Sequence, residues 1–265
     1  MIIFDEILKM KKPTILVVND DGIFAPGIKA LVSVAQTFGN VVVVAPDSPQ
    51  SAKGHAITIS EILRLKKVNF SEGVEAYECS GTPVDCVKMA KHVVMKGRTI
   101  DLVVSGINHG TNASISIIYS GTMSAAMEAS HEGMKAIGFS HVNHGYNIDF
   151  EAAQHYVSYF ITEALKDDYP SGRLLNINIP DLSLSDIKGI KVCRQAMGSW
   201  QENFIKKTDP SGKDYYWLSG SFVMKDEGED TDIHALEEGY VSVVPSTHDL
   251  TDYEGIDIFK NIFKE

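Results

Sequence analysis

Short apolar runs without alternation divide the first part of the chain, and stretches with a helical repeat lie between them. Ile15-Leu16-Val17-Val18 is the first such run, and it stops abruptly on Asn19-Asp20-Asp21-Gly22. Val41–Ala45 is closed by Pro46 and Leu174–Ile179 by Pro180, with Asp101–Ser105 and Ala136–Ser140 between them. Runs of this length and character predict strands buried on both faces, as in a parallel sheet. Tyr77–Ser80 predicts one more short strand. After Pro26-Gly27, residues Ile28, Leu31, Val32, Ala35 and Phe38 fall on one helical face. Gly81-Thr82-Pro83-Val84-Asp85-Cys86 opens a second helix, because a hydroxyl followed by proline is an N-terminal signal. Its stripe is Val84, Val87, Ala90 and Val94. Tyr119-Ser120-Gly121-Thr122 leads into an alanine-rich third helix, and Ala153, Tyr156, Val157, Phe160, Ile161 and Ala164 mark a fourth. Strands alternating with helices predict an α/β fold with a doubly wound, mainly parallel, Rossmann-like sheet.

The pattern changes after about Gly189. Tyr215–Leu218 and Tyr240–Val244 predict strands with no helix between them, separated by the acidic run Asp226–Asp232. Ile256, Phe259 and Phe263 predict a last short helix. This tail is too small for a second core, so it reads as a C-terminal arm of β-hairpin and helix. The division expected is an N-terminal extension (1–13), an α/β catalytic core (14–189) and an arm and oligomerisation segment (190–265) within the same domain.

Composition narrows the class. The chain has 265 residues, enough for one large α/β domain with a sizeable core. Its net charge of -11 argues against binding along a nucleic-acid duplex. Three cysteines, Cys79, Cys86 and Cys193, are an odd number with no CxxC pair, which points to a reduced compartment and no zinc site. No apolar run reaches the length of a membrane span, and Met1–Lys12 carries Asp5 and Glu6 rather than a signal-peptide layout. A soluble, cytoplasmic protein is expected.

The candidate chemistry lies where the parallel strands end, since ligand sites of open α/β sheets lie beyond those ends. Asp20 and Asp21 would point to opposite faces of a continuing strand. They converge only if the strand has ended, and Gly22 permits that turn. Two carboxylates about 4 Å apart repel by roughly 4 kcal/mol at an effective dielectric of about 20. A bound cation relieves this, and a solvated turn is the plainer alternative. The loop Asp47–Ala56 after the second strand brings the Ser51 hydroxyl, and Ser105-Gly106-Ile107-Asn108-His109-Gly110 brings the Asn108 amide. Four hard oxygen donors suit magnesium or manganese better than zinc, and leave room for water or a phosphate oxygen. Ser120-Gly121-Thr122 at a helix start favours an anion, though capping alone also accounts for it. His55 and His109 lie in the site loops, as phosphate-orienting groups or as solvated residues. His141 and His144 have HxxH spacing but no third ligand.

Taken in order, Asn19-Asp20-Asp21-Gly22, Ala45-Pro46-Asp47 with Ser51, Gly81–Cys86, Ser105–Gly110 and Tyr119–Thr122 resemble the SurE family, the survival-protein nucleotidases. The likeness runs over most of the chain from Thr14 onward. Each motif alone is weak, but their joint occurrence is specific. The resemblance implies a metal-dependent phosphatase that hydrolyses nucleoside monophosphates to nucleoside and phosphate. It puts the family's metal ligands on Asp20, Asp21, Ser51 and Asn108; with the donor chemistry above, one divalent ion per subunit, magnesium or manganese, is expected there, with Asp20 and Asp21 the catalytic carboxylates. It implies phosphate contacts from Ser120, Gly121 and Thr122, and homodimers or homotetramers built by exchanged C-terminal segments. One departure stands out. The family often has a Gly-Pro-Asn-x-Gly-Asp type sequence after the glycine equivalent to Gly110, and here Thr111-Asn112-Ala113-Ser114-Ile115-Ser116 follows.

Other classes fit less well. A receiver domain needs a phosphoacceptor Asp where this chain has Ser105–Asn108. A haloacid-dehalogenase-like phosphatase needs Asp-x-Asp-x-Thr after the first strand, and a dinucleotide dehydrogenase Gly-x-Gly-x-x-Gly. A nucleotide- or phosphate-binding regulator without turnover is the alternative that keeps the same residues.

Overall fold

β1 (Thr14–Val18) is fully buried along its length, because helices cover both faces of the sheet to which it belongs. The structure, a computed structural model, describes residues 12–145 and 147–264, so most of the extension before β1 lies outside the described residues. From β1 the chain passes through α1 (Pro26–Ala35), β2 (Asn40–Pro46), β3 (Leu65–Val68), β4 (Glu75–Cys79) and α2 (Pro83–Met89). It continues through β5 (Leu102–His109), a 3-10 turn at Ser114–Tyr119, α3 (Gly121–His131), β6 (Ala136–His141), α4 (Glu151–Ala164) and β7 (Leu174–Ile179). The C-terminal part adds β8 (Ile190–Val192), β9 (Gly198–Thr208), β10 (Asp214–Met224), α5 (Asp232–Glu237), β11 (Val241–Ser246) and α6 (Tyr253–Phe263).

Among the described residues, nine strands form one sheet in the order β3-β4-β2-β1-β5-β6-β7-β11-β8. The run from β4 to β7 is parallel throughout. Alternation sorts its side chains between two cores. Ile15, Val17, Leu102 and Val104 face α1 and α4, where Leu31, Val32, Val157 and Ile161 meet them. Leu16, Val18, Val42 and Val103 face α2 and α3, where Cys86, Val87, Ala125 and Ala129 pack. The α/β, doubly wound, mainly parallel architecture expected from the strand–helix alternation is the one observed.

Details differ from the sequence reading. β5 does not stop at Ser105 but runs on to His109, with an irregular register between Ser105 and Asn108. The half-exposed Leu65–Val68 pairs antiparallel with β4 at the edge, too short and too charged to stand out as a strand. A helix, α5, does separate the two late strands, since Thr231 caps a turn starting at the end of the acidic run. Tyr240–Val244 was expected in the arm, yet β11 pairs antiparallel with β7 and its valines are buried in the main sheet. The freestanding part is the β9–β10 hairpin, whose strands pair from Gly198–Met224 to Thr208–Asp214, together with α6. No helix among the described residues is long and apolar enough to cross a membrane.

Phe139 on β6 is fully buried, with its ring 6.3 Å from that of Phe160 on α4. Phe139→Ala should cost about 3–5 kcal/mol of stability by leaving a cavity between sheet and helix. Urea unfolding measures it, and an unchanged midpoint would contradict this packing.

Candidate active site

β1 and β5 are neighbours, with Val18 opposite Ser105, yet the chain leaves them in opposite directions across the sheet. That reversal opens a crevice at their carboxyl ends. Asn19 donates its amide to the Gly22 carbonyl (2.9 Å) and Gly22 takes φ +97, so the strand breaks where the two acids stand. Asp20 and Asp21, Ser51 from the turn after β2, Asn108 from β5 and Ser120 at the head of α3 line one cleft of about 490 Å³. Gly121 and Thr122 do not reach its surface. They lie buried behind Asp20.

Asp20 is only 4% exposed. The first turn of α3 closes on it: the Thr122 hydroxyl donates to Oδ1. A Cβ at Gly121 would stand 2.6 Å from the Asp20 Cβ, so only glycine allows this approach. Ser120 caps the helix by accepting from the Met123 amide (3.0 Å), which leaves its hydroxyl proton for another partner. Burial, with Asp21 adding repulsion, pushes the Asp20 carboxyl up to about 6 despite the Thr122 hydrogen bond.

Burial also raises the Asp21 carboxyl, and His109 offsets part of that. Asp21 Oδ2 is buried with no hydrogen-bond partner among the described residues. His109 donates Nδ1–H to the Gly145 carbonyl (2.9 Å), and its Nε2 is likewise buried and unpartnered. Asn108 Nδ2 is spent on the Gly110 carbonyl (2.7 Å), so its oxygen is the atom left for a ligand. Among the described residues lining the cleft there is no lysine or arginine, while Asp20, Asp21 and Glu202 all line it. Two adjacent carboxylates, an orphaned carboxylate oxygen and neutral oxygen donors nearby fit a hard divalent cation. No group of three His, Cys, Asp or Glu suited to a metal occurs among the described residues, so such a site depends on the Ser and Asn oxygens.

The family model for the survival protein SurE matches residues 15–202. The chain is 58% identical to the 5'-nucleotidase SurE of Flavobacterium johnsoniae, an alignment covering 92% of this chain and 94% of that protein. It is 42% identical to the 5'-nucleotidase SurE of Natranaerobius thermophilus over 90% of this chain and 94% of the other. The crystal structure of the SurE protein from Aquifex aeolicus superposes with a TM-score of 0.81 at 40% identity, covering 95% of this chain and all of that one. The chain belongs to the SurE family.

Where this SurE chain carries Thr111–Ser116 in place of the frequent family sequence, buried side chains hold the loop. Asn178 Oδ1 accepts from the Thr111 hydroxyl (2.9 Å) and the Asn112 amide (2.8 Å). Asn112 donates to Ser140 (2.8 Å), and Asn176 donates to the Asn112 carbonyl (2.8 Å). Asp232, fully buried, accepts from the Ser114 amide (2.8 Å) and the Ala196 amide (3.0 Å), tying this loop to the root of the β9–β10 hairpin. The hairpin returns Trp200, Glu202 and Leu218 to the cleft, a wall that sequence reasoning missed because nothing local signals where a freestanding hairpin leans. His109 and His144 line the cleft, whereas His55 pairs with Glu128 and His141 is buried beside Asp181.

In the metal-free chain Asp20 holds its proton to a higher pH than in the unfolded state. Its contribution to stability therefore falls as pH rises from about 4 to about 6, and above that the buried charge costs about 3 kcal/mol. With chelator present, Asp20→Asn should raise the urea midpoint at about pH 7.5 and lose that advantage by about pH 4. Equal midpoints at the higher pH would contradict a costly buried carboxylate.

Proposed function

We propose that this cleft hydrolyses nucleoside monophosphates to nucleoside and phosphate, with one divalent ion, magnesium or manganese, held by Asp20, Asp21, Ser51 and Asn108. The nucleotidase class, a phosphoric monoester hydrolase, rests on relatives bearing that name at up to 58% identity over nearly the whole chain. The observation that carries the metal is the charge balance. A phosphate must enter a cleft lined by three carboxylates and no basic side chain among the described residues. When bound, the ion supplies positive charge to the phosphoryl oxygens and makes a water more acidic.

The chain's own residues do the rest. Thr122 and Gly121 fix Asp20 from behind. Ser120 has a hydroxyl proton free for a phosphate oxygen, and the positive end of the α3 dipole lies beside it. His109 and His144 stand on the wall where the phosphate would sit. Tyr119, Trp200 and Leu218 offer apolar surface for base and ribose. We assign the work to the cytoplasm, in keeping with three free, buried cysteines.

A second copy of the chain is the partner we assign. The hairpin exposes Phe204, Tyr216 and Trp217, and α6 exposes Ile258, Ile262 and Phe263. Such patches mark interfaces.

Phosphate release from a panel of nucleoside monophosphates tests the reaction. Chelator should abolish it, and Asp20→Asn should lower the rate on the order of a hundredfold or more. Activity surviving both would overturn the mechanism, and tight nucleotide binding without release would favour the regulator reading. For assembly, a solution mass at micromolar concentration should show a dimer or tetramer, and a 29.1 kDa monomer alone would count against it.

A further inference from the structure

We propose that Glu128 is a positioning residue for the metal site, acting through His55 to hold the loop that carries Ser51. The proposal rests on the reading of Ser51 as a ligand.

Ser51 sits in an exposed turn and makes no side-chain hydrogen bond among the described residues. Its place depends on tethers to either side. Upstream, the Gln50 amide donates to the Asp20 carbonyl (2.7 Å), so one tether ends on a ligand residue itself. Downstream, the Gly54 amide donates to the Tyr119 carbonyl (3.2 Å). Next in the chain, His55 Nε2 lies 2.9 Å from Glu128 Oε2.

Glu128 is 4% exposed, where an unpaired carboxylate would be costly. Lys88 from α2 binds Oε1 and balances the charge. Burial pushes the carboxyl up, but Lys88 and His55 outweigh that and hold it below its ordinary value. The lysine alone would satisfy the charge. The second oxygen is aimed at the loop, and a side chain there that served only α2–α3 packing would have no need of it.

The helix supplies the logic. Gly121 and Thr122 seat Asp20 against the first turn of α3, and Glu128 lies two turns further along the same helix. One rigid element thereby sets both the buried carboxylate and the loop bearing the exposed hydroxyl. Residues that orient ligands in this way typically control metal affinity by about 10–100-fold.

His55→Ala leaves the Glu128–Lys88 pair intact and alters a partly exposed side chain, so it should fold, and Glu128→Gln is the second variant. Calorimetric titration with manganese should show both weakened about tenfold, comparable with Ser51→Ala. The double variant His55→Ala/Ser51→Ala should bind little worse than Ser51→Ala alone, because the loop then has nothing left to deliver. In the metal-free protein, hydrogen exchange at the Gln50 and Gly54 amides should quicken in both single variants. Unchanged exchange overturns the proposal, as do additive losses in the double variant or unchanged manganese affinity in His55→Ala alongside a loss in Asp20→Asn. If Asp20→Asn and Asp21→Asn both leave manganese binding intact, it is the metal reading that fails, and hydrogen exchange alone then decides whether Glu128 holds the loop.

Discussion

Two adjacent carboxylates at the broken end of a central strand are the constraint around which the rest is arranged. Asp20 is almost wholly buried, and Asp21 keeps one oxygen buried without a partner among the described residues. Mutual repulsion and lost hydration make this arrangement costly. The fold nevertheless invests in it. The first turn of α3 delivers a hydroxyl to Asp20, and a glycine makes room for the approach. Such local instability is what a cation would relieve, and oxygens already held in place would lose little conformational freedom in binding one.

The sheet topology explains why these groups share one cleft. Parallel strands place their carboxyl ends on one edge, and the reversal between β1 and β5 parts the chain there. Asp20 and Asp21 come from one strand end, Asn108 from its neighbour, and Ser51 from the loop beyond β2 on the other side. The surrounding charge matters as much as these oxygen donors. With no lysine or arginine among the described lining residues and Glu202 added from the hairpin, the cleft itself supplies no cationic side chain to a phosphate.

The walls are held by buried polar side chains rather than by regular structure. Asn112, Asn176, Asn178 and Ser140 form a connected network under the loop after β5, and Asp232 joins that loop to the hairpin root. Polar groups buried this deeply require satisfied partners, so each network admits essentially one loop geometry. The α3 helix plays a corresponding part for Asp20 and the loop carrying His55, with Thr122 at its start and Glu128 further on.

Local pattern alone determined the parallel core. Ile15–Val18 and the α4 stripe from Ala153 to Ala164 could be read directly, because burial on two faces or on one helical face imposes a period that survives in any tertiary context. Asp20, Asp21, Ser51, Asn108 and Ser120 were legible for a related reason: each lies at or beyond the end of a recognisable strand or opens a recognisable helix, and parallel topology then brings them to one edge. Tertiary structure decided what had no local signature. Val241–Val244 joined the main sheet only because β7 offered an edge, and Trp200 and Leu218 reached the cleft only because the hairpin leans over it. Thr122 turned from the cleft to Asp20, and Glu128 found His55, through contacts across long stretches of chain. Hydrogen bonds between residues so far apart depend on the path of the whole fold, and no periodicity in the sequence encodes them.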